Sequence, residues 1–382
     1  MFNRIKVVIT LMLVFFISII LPCPVNAESI EEVKADAYIL MDADSGKVLL
    51  AKNENQKLPP ASMTKLMTLI LAIEDLSEGK VGLKDKVTTS ENAWKMGGSQ
   101  IYLEPGEEMT FEDMLIAIAV GSANDACVAV AEHLEGTYQS FVDRMNRKAQ
   151  DLQLKNTHFQ NAHGLPAEGH YSSAYDMAVL ARYALNFPKV LEYTSIKEYS
   201  LRQGEFELFN TNKLLWWYEG VDGFKTGFTN EAKFCLVSTA KRDGLRLIGV
   251  VMASPEQHGN FRDSMKLYNY GFAKYAYKSF YNQGSACGKV KVGKGVEEYV
   301  DVLAAQNVGS IILKGEDRKL SIRTELVPYV DAPVKEGQVL GQIKVYKDNE
   351  LLKQVDLLAV REVNRSGIIR EIIKMFAETY LL

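Results

Sequence analysis

A chain of 382 residues is too long for one ordinary core and suggests two to three domains at roughly 150 residues each. Apolar residues make up 47% and charged residues 24%, with 27 Gly and 10 Pro, a balance that excludes a disordered or fibrous chain. The formal net charge of −4 leaves no basic footprint, so nucleic acid is not an expected partner.

Residues 1–27 stand apart from the rest. Arg4 and Lys6 form a basic start, Val7 to Leu21 is an apolar stretch without a charge, and Val25-Asn26-Ala27 ends in a small residue. This pattern predicts a cleaved secretory signal peptide. A retained membrane anchor fits less well, because a spanning helix wants about 20 apolar residues. Pro22 also makes a lipoprotein site at Cys23 a poor fit. Loss of Arg4 and Lys6 leaves 42 basic against 48 acidic residues, a charge of −6 on an exported chain. Cys127, Cys235 and Cys287 would then remain, an odd number without CxxC spacing, which implies no disulfide framework.

From Ala37 the run AYILMDADSGKVLLAKN reads as two strands around Asp44-Ser45-Gly46. After Pro59-Pro60, Leu66, Leu69, Ile70 and Ile73 recur at helical spacing, which puts Ser62 near the first turn of a helix. A second helix is expected from Thr110 to about Leu134, opened by a capping box and interrupted at Gly121-Ser122. A third runs from Ser173 to Leu185. FCLVSTA and LRLIGVVMA then flank a turn at Lys241 to Gly244, which places Lys225-Thr226-Gly227 just before, or at the start of, a sheet strand. Strands at both ends with helices between them predict an α+β fold, an antiparallel sheet with a helical cluster.

Beyond about Ser279 the texture changes. VKV, SIILK, SIRTEL and QIKVY read as strands of a small all-β unit, with a turn at Lys347 to Glu350. The expected division is a signal peptide at 1–27, a main domain at 28–280, a small β-sandwich-like domain at 281–362 and an amphipathic helix at 363–382. Ile368, Ile369, Ile372, Ile373, Phe376 and Tyr380 share one face of that helix. Such a face suits the outer surface of a cytoplasmic membrane, or packing on protein.

Three short elements carry the chemistry: Ser62-Met63-Thr64-Lys65, Ser122-Ala123-Asn124 and Lys225-Thr226-Gly227. A Ser hydroxyl is a poor nucleophile until a base takes its proton. On a helix, i and i+3 share a face, so Lys65 can reach Ser62. A partly desolvated lysine beside other cations loses basicity and can act as that base. Ser77-Glu78-Gly79-Lys80 and Ser90-Glu91-Asn92 duplicate the first two patterns, but Gly79 reads as a helix end and Ser90 as a solvated helix start. Lys225-Thr226-Gly227 occurs once.

In that order the motifs resemble those of the penicillin-recognising serine acyltransferases, most closely the low-molecular-mass penicillin-binding proteins that are D-alanyl-D-alanine carboxypeptidases. The similarity spans about Ala37 to Lys274 and includes GGSQIYLEPGEEMTFEDMLIAIAVGSANDACVAVAEH and NAHGLPAEGHYSSAYDMAVLARYAL. It implies a β-lactamase/transpeptidase-like domain and removal of the terminal D-alanine from peptidoglycan stem peptides through a Ser62 acyl-enzyme, with β-lactam antibiotics as trapping ligands. Lys65 would take the Ser62 proton. Ser122 would relay a proton to the leaving amine beside Lys225, and Asn124 would bond Lys65 and the substrate amide. The N–H groups of Ser62 and Phe228 would form the oxyanion hole. Thr226 and Gly227 would edge the substrate, and Arg262 is a further candidate for its carboxylate, with an ion pair or solvation as its bland alternative.

Two departures stand out. Ala123 occupies a centre where this subgroup usually has Gly. No Glu-x-x-x-Asn element of the kind that positions deacylating water in class A β-lactamases lies between Ser122 and Lys225, which favours a trapped peptidase. A D,D-endopeptidase, a class A-like β-lactamase and a non-catalytic cell-wall binding protein are the alternatives. A Ser-His-Asp hydrolase lacks a GxSxG elbow, and His158, His163 and His170 lack metal-site spacing, so neither a metal nor another cofactor is expected.

Overall fold

The strands that open and close the main domain belong to one sheet. In the computed structural model, which describes residues 32–369 and 372, β1 (Ala37–Asp42) and β2 (Val48–Lys52) join β3 (Val221–Thr229), β4 (Lys233–Arg242) and β5 (Leu245–Ser254). The order is β2-β1-β5-β4-β3, and every neighbouring pair is antiparallel. The signal-peptide expectation at 1–27, and the tail beyond Ile369 except Ile372, lie outside the described residues.

All of β1 is buried and nearly all of β5, because helices cover both faces of the sheet. Ile39, Met41, Val250 and Met252 face the helical cluster. On the other face Gly271, in the helix Gly259–Lys274, lies so close to Leu40 and Leu247 that a Cβ there would sit 2.9 and 2.5 Å from their side chains. This two-sided cover explains why the strands read as continuous apolar runs and not as alternation.

The helical cluster is built around α1 (Lys65–Ser77), whose residues from Lys65 to Asp75 are all buried. Each large apolar side chain so buried, among them Leu66, Met67, Leu69 and Ile70, contributes about 1.5–3 kcal/mol. The helix expected from Thr110 is broken in the structure. α2 (Phe111–Ile116), capped by Thr110, passes into a π turn at Ala117–Gly121, and α3 (Asn124–Glu135) restarts beyond Ser122. α4 (Tyr138–Asp151) is tied to α1 and α3 by half-buried basic groups: Arg144 pairs with Asp75 of α1 and, at 2.8 Å, with Glu135 of α3, and Lys148 pairs with Glu74 of α1 at 2.7 Å. Ser173 caps α5 (Ala174–Ala184).

Beyond the helix Gly259–Lys274 the described residues are mostly strand, with a 3-10 turn at Asp317–Lys319. Val308–Leu313 pairs with Tyr275–Tyr281 as a separate two-stranded ribbon. The six-stranded sheet contains the expected Ala286–Gly293, Leu320–Leu326 and Val339–Lys347. It also contains Tyr299–Ala304, Tyr329–Asp331 and Glu350–Ala359, which the reading of the sequence did not pick out. Asp348 and Asn349 turn the last hairpin with φ 48° and 71°, as a tight two-residue turn requires. Val290, Val302, Ile343, Val345 and Leu357 form an apolar cluster separate from that of the helical cluster. Among the described residues no helix is long and apolar enough to cross a membrane.

Candidate active site

Ser62 lies in a single 3-10 turn, Ala61–Thr64, that leads into α1. The turn places Lys65 Nζ 3.0 Å from Ser62 Oγ. The same Nζ donates to Asn124 Oδ1 at 2.6 Å and to the His163 carbonyl at 2.7 Å. Two of its three tetrahedral contacts are therefore fixed acceptors. An uncharged Lys65 would keep two N–H groups on those acceptors and turn its lone pair on the Ser62 hydroxyl. Burial pushes Lys65 down to about 8, toward that uncharged form.

Lys225 is also buried, in the interior of β3, where a place just before or at the start of a strand was expected. Burial first, and then the charge of Lys65, push it down to about 7. Among the described residues neither lysine has a carboxylate at ion-pair distance. Cys127 beneath them supplies no counter-charge, since burial pushes its thiol up to about 12. The oxygens of the buried Asp125 accept from the N–H groups of Ile101, Leu103 and Ala126 at 2.9–3.2 Å and so fix the loop opposite Ser62.

The π turn ends at Ser122, which takes a left-handed conformation, φ 60° and ψ 33°. A non-glycine residue there is uncommon and tends to mark functional sites, and here it turns Ser122 into the cleft wall. Ala123 follows with φ −63° and a fully buried side chain, so its position makes no demand for Gly. Asn124 Nδ2 donates to the Gly97 carbonyl at 2.6 Å, so of its two expected partners Lys65 alone is engaged.

Gly227 brings β3 against the Ser62 turn. A Cβ on it would stand 2.8 Å from the Pro60 carbonyl and 3.2 Å from the Ser62 nitrogen, closer than ordinary packing allows. Phe228, next along this sheet edge, is half exposed and packs on Phe234 at 4.6 Å. Thr226 Oγ1 bonds Thr211 Oγ1 at 2.7 Å. Ser62, Ser122, Thr226, Gly227 and Phe228 thus line one cleft of about 320 Å³.

Arg262 does not join them. Its guanidinium bonds Glu256 at 2.6 Å and the Gln257 carbonyl on the exposed side of its helix, so the geometry matches the ion-paired alternative and not carboxylate binding. The duplicate motifs are also disposed of: Gly79 follows the end of α1 with φ 71°, and Ser90 caps a four-residue helix.

The carbonyls of His163 and Gly97 escaped the reading of the sequence, because a backbone acceptor has no side-chain signature. The stretch from Asn161 to Ser172 was the available signal. Gly164 there, at φ 89°, runs so close to the Ala61 carbonyl that no Cβ fits. Burial, and then Lys65, push His163 down to about 3, and burial pushes His170 down to about 4. His170 Nδ1 accepts from the Gln160 N–H, which leaves Nε2 to donate to Thr64 Oγ1 at 2.8 Å. Both rings are thus neutral structural parts, bonded within the protein.

The family described as D-alanyl-D-alanine carboxypeptidase matches residues 24–256, and the penicillin-binding protein 5 C-terminal domain matches 275–365. D-alanyl-D-alanine carboxypeptidase DacF of Bacillus subtilis is 42% identical over 340 residues, 88% of this chain and 87% of that protein. The crystal structure of penicillin binding protein 5 from Haemophilus influenzae aligns with a TM-score of 0.70 at 33% identity, covering 88% of this chain and 99% of that one. Penicillin-Binding Protein D2 from Listeria monocytogenes, in its ampicillin-bound form, aligns at 31% identity and a TM-score of 0.58, over 63% of this chain and 98% of its own.

Proposed function

Because the chain belongs to the D-alanyl-D-alanine carboxypeptidase family, we propose that Ser62 is the nucleophile with which this serine-type carboxypeptidase cuts the terminal D-alanine from peptidoglycan stem pentapeptides. Ser62 Oγ adds to the carbonyl between the two D-alanines as Lys65 Nζ takes its proton. The resulting oxyanion lies against the N–H groups of Ser62 and Phe228, each such donor being worth about 2.7–4 kcal/mol. As the C–N bond breaks, the Ser122 hydroxyl passes a proton to the leaving amine and regains one from the Lys65 and Lys225 side. Asn124 holds Lys65 in line, and Thr226 and Gly227 border the substrate. Water then gives a proton to Lys65 and adds to the ester carbonyl, and the Ser62 bond breaks as Oγ takes that proton back, releasing the shortened peptide. A β-lactam amide enters by the same first step and stays as the acyl-enzyme.

The observation that carries this reading is the Lys65 amine, two of whose contacts are fixed acceptors while the third is Ser62 Oγ. A labelled penicillin should leave its adduct on Ser62, read by mass spectrometry, and Ser62→Ala should abolish it. A pentapeptide ending in two D-alanines should yield free D-alanine. Cleavage of cross-links alone would instead identify an endopeptidase.

Export is proposed from the leader pattern at 1–27, with 28–280 as the catalytic domain and 281–362 as the small β domain. Attachment to the outer face of the cytoplasmic membrane is supported by the exposed Ile368, Ile369 and Ile372. Cell fractionation of the full chain against one ending at Asn364 would test it.

A further inference from the structure

A substrate that ends in D-alanine ends in a carboxylate, and selection for a free chain end requires a donor to meet it. Lys65 and Lys225 are buried at the Ser62 end, and Arg262 is held by Glu256 outside the cleft. Among the described residues, the remaining donor-bearing side chains of the cleft wall are the hydroxyls of Ser99, Thr211 and Thr226, the amides of Gln257 and Asn260, and the imidazole of His258. Only the imidazole can also carry positive charge.

His258 is held in place. It precedes the 16-residue helix Gly259–Lys274 in a left-handed conformation, φ 59° and ψ 8°. Its ring meets Trp217 edge-on at 5.7 Å and stacks on Phe261 at 6.0 Å. The N-terminal end of the helix adds a positive dipole to this wall. Asn260, buried on the same wall, donates through Nδ2 to the Cys235 carbonyl at 3.0 Å, while its Oδ1 has no partner. The imidazole of His258 is therefore the ionisable donor that this wall offers, while Asn260 ties the start of the helix to β4. The nearest carboxylate along the chain, Glu256, is already answered by Lys34 and Arg262 at 2.6 Å each. Asp263, on the same helix, is taken up by the Lys34 and Ala35 N–H groups and the Ser254 hydroxyl, and Lys213, before the Trp217 helix, lies over Trp216.

Resting on the carboxypeptidase reading above, we propose that His258 is the specificity-determining residue that donates to the substrate's free carboxylate. The test is steady-state hydrolysis of an acyl-D-alanyl-D-alanine peptide by the full chain and two variants. His258→Gly accepts the left-handed backbone while removing the ring, and should raise KM about tenfold with kcat within about twofold. His258→Arg supplies a cationic donor at the same position and should bring KM back to the wild-type value or below. An unchanged KM in His258→Gly, or a rise that His258→Arg fails to reverse, overturns the assignment. Absence of a penicillin adduct on Ser62 in the wild-type protein would overturn the carboxypeptidase reading itself.

Discussion

A general base must be uncharged to work, and the basicity of Lys65 fixes when it is. With Lys65 at about 8 and Lys225 at about 7, raising the pH increases the uncharged fraction. Acylation of Ser62 by a penicillin should therefore climb about tenfold per unit below about pH 7 and level off above about pH 8, as stopped-flow rates would record. A profile flat from pH 5 to 9 would remove Lys65 from that role. Ala123 gives a second residue-scale expectation. Its backbone is ordinary and its methyl is buried, so Ala123→Gly gains nothing sterically and loses packing and chain stiffness. Thermal unfolding should show a loss of about 0.5–1 kcal/mol with acylation retained. The alanine is on this account a stabilising choice.

At the scale of elements, the site depends on β3 lying hard against the Ser62 turn. Gly227→Ala would place a methyl 2.8 Å from the Pro60 carbonyl and move strand and turn apart. Misplacement of about 1 Å costs on the order of 10²-fold in rate, so acylation should fall by that factor while the circular dichroism spectrum stays native. Ser62 and Lys65 were legible because they are three residues apart on one turn, and the cap at Ser173 because capping is local. The π turn was legible only as an interruption, since its geometry follows from packing around Ser122. Tyr299–Ala304 and Glu350–Ala359 were missed for a similar reason. Lys353, Gln354 and Asp356 break up the apolar pattern, and the strand is held by pairing with Val339–Lys347 and Tyr299–Ala304. Arg262 was misread because sequence places a residue on a helix without saying which side faces the cleft.

The whole molecule contains ion pairs of two kinds, and their depth separates them. Arg144 bridges α4 to α1 through Asp75, whose side chain is 4% exposed. Burial alone would push the Asp75 carboxyl up, yet Arg144 and Lys80 hold it below the ordinary range. Arg144→Ala would leave that carboxylate to Lys80 alone and should cost about 3 kcal/mol in urea unfolding. Lys353 instead joins the six-stranded sheet to Asp44 at 2.6 Å in the first hairpin of the main domain, where the carboxylate is 35% exposed. Lys353→Ala should cost less than about 1 kcal/mol and leave acylation untouched. Equal losses in the two variants would mean that the small sheet braces the catalytic region. The trio of motifs was visible in the sequence; this weak join between the sheets was not, because Asp44 and Lys353 are 309 residues apart.

β3 is the last strand of its sheet, and that position bears on handedness. A peptide laid along its free margin presents each side chain to one face of the ribbon or the other. Inverting one α-carbon swaps those faces. On this margin one face is shut by the backbone of Pro60 to Ser62, which leaves no room even for a methyl on Gly227, while the face of Thr226 and Phe228 is open. The margin would therefore sort peptides by chirality before it sorts them by size, and chains of L-residues, abundant outside a cell, would pass it uncut.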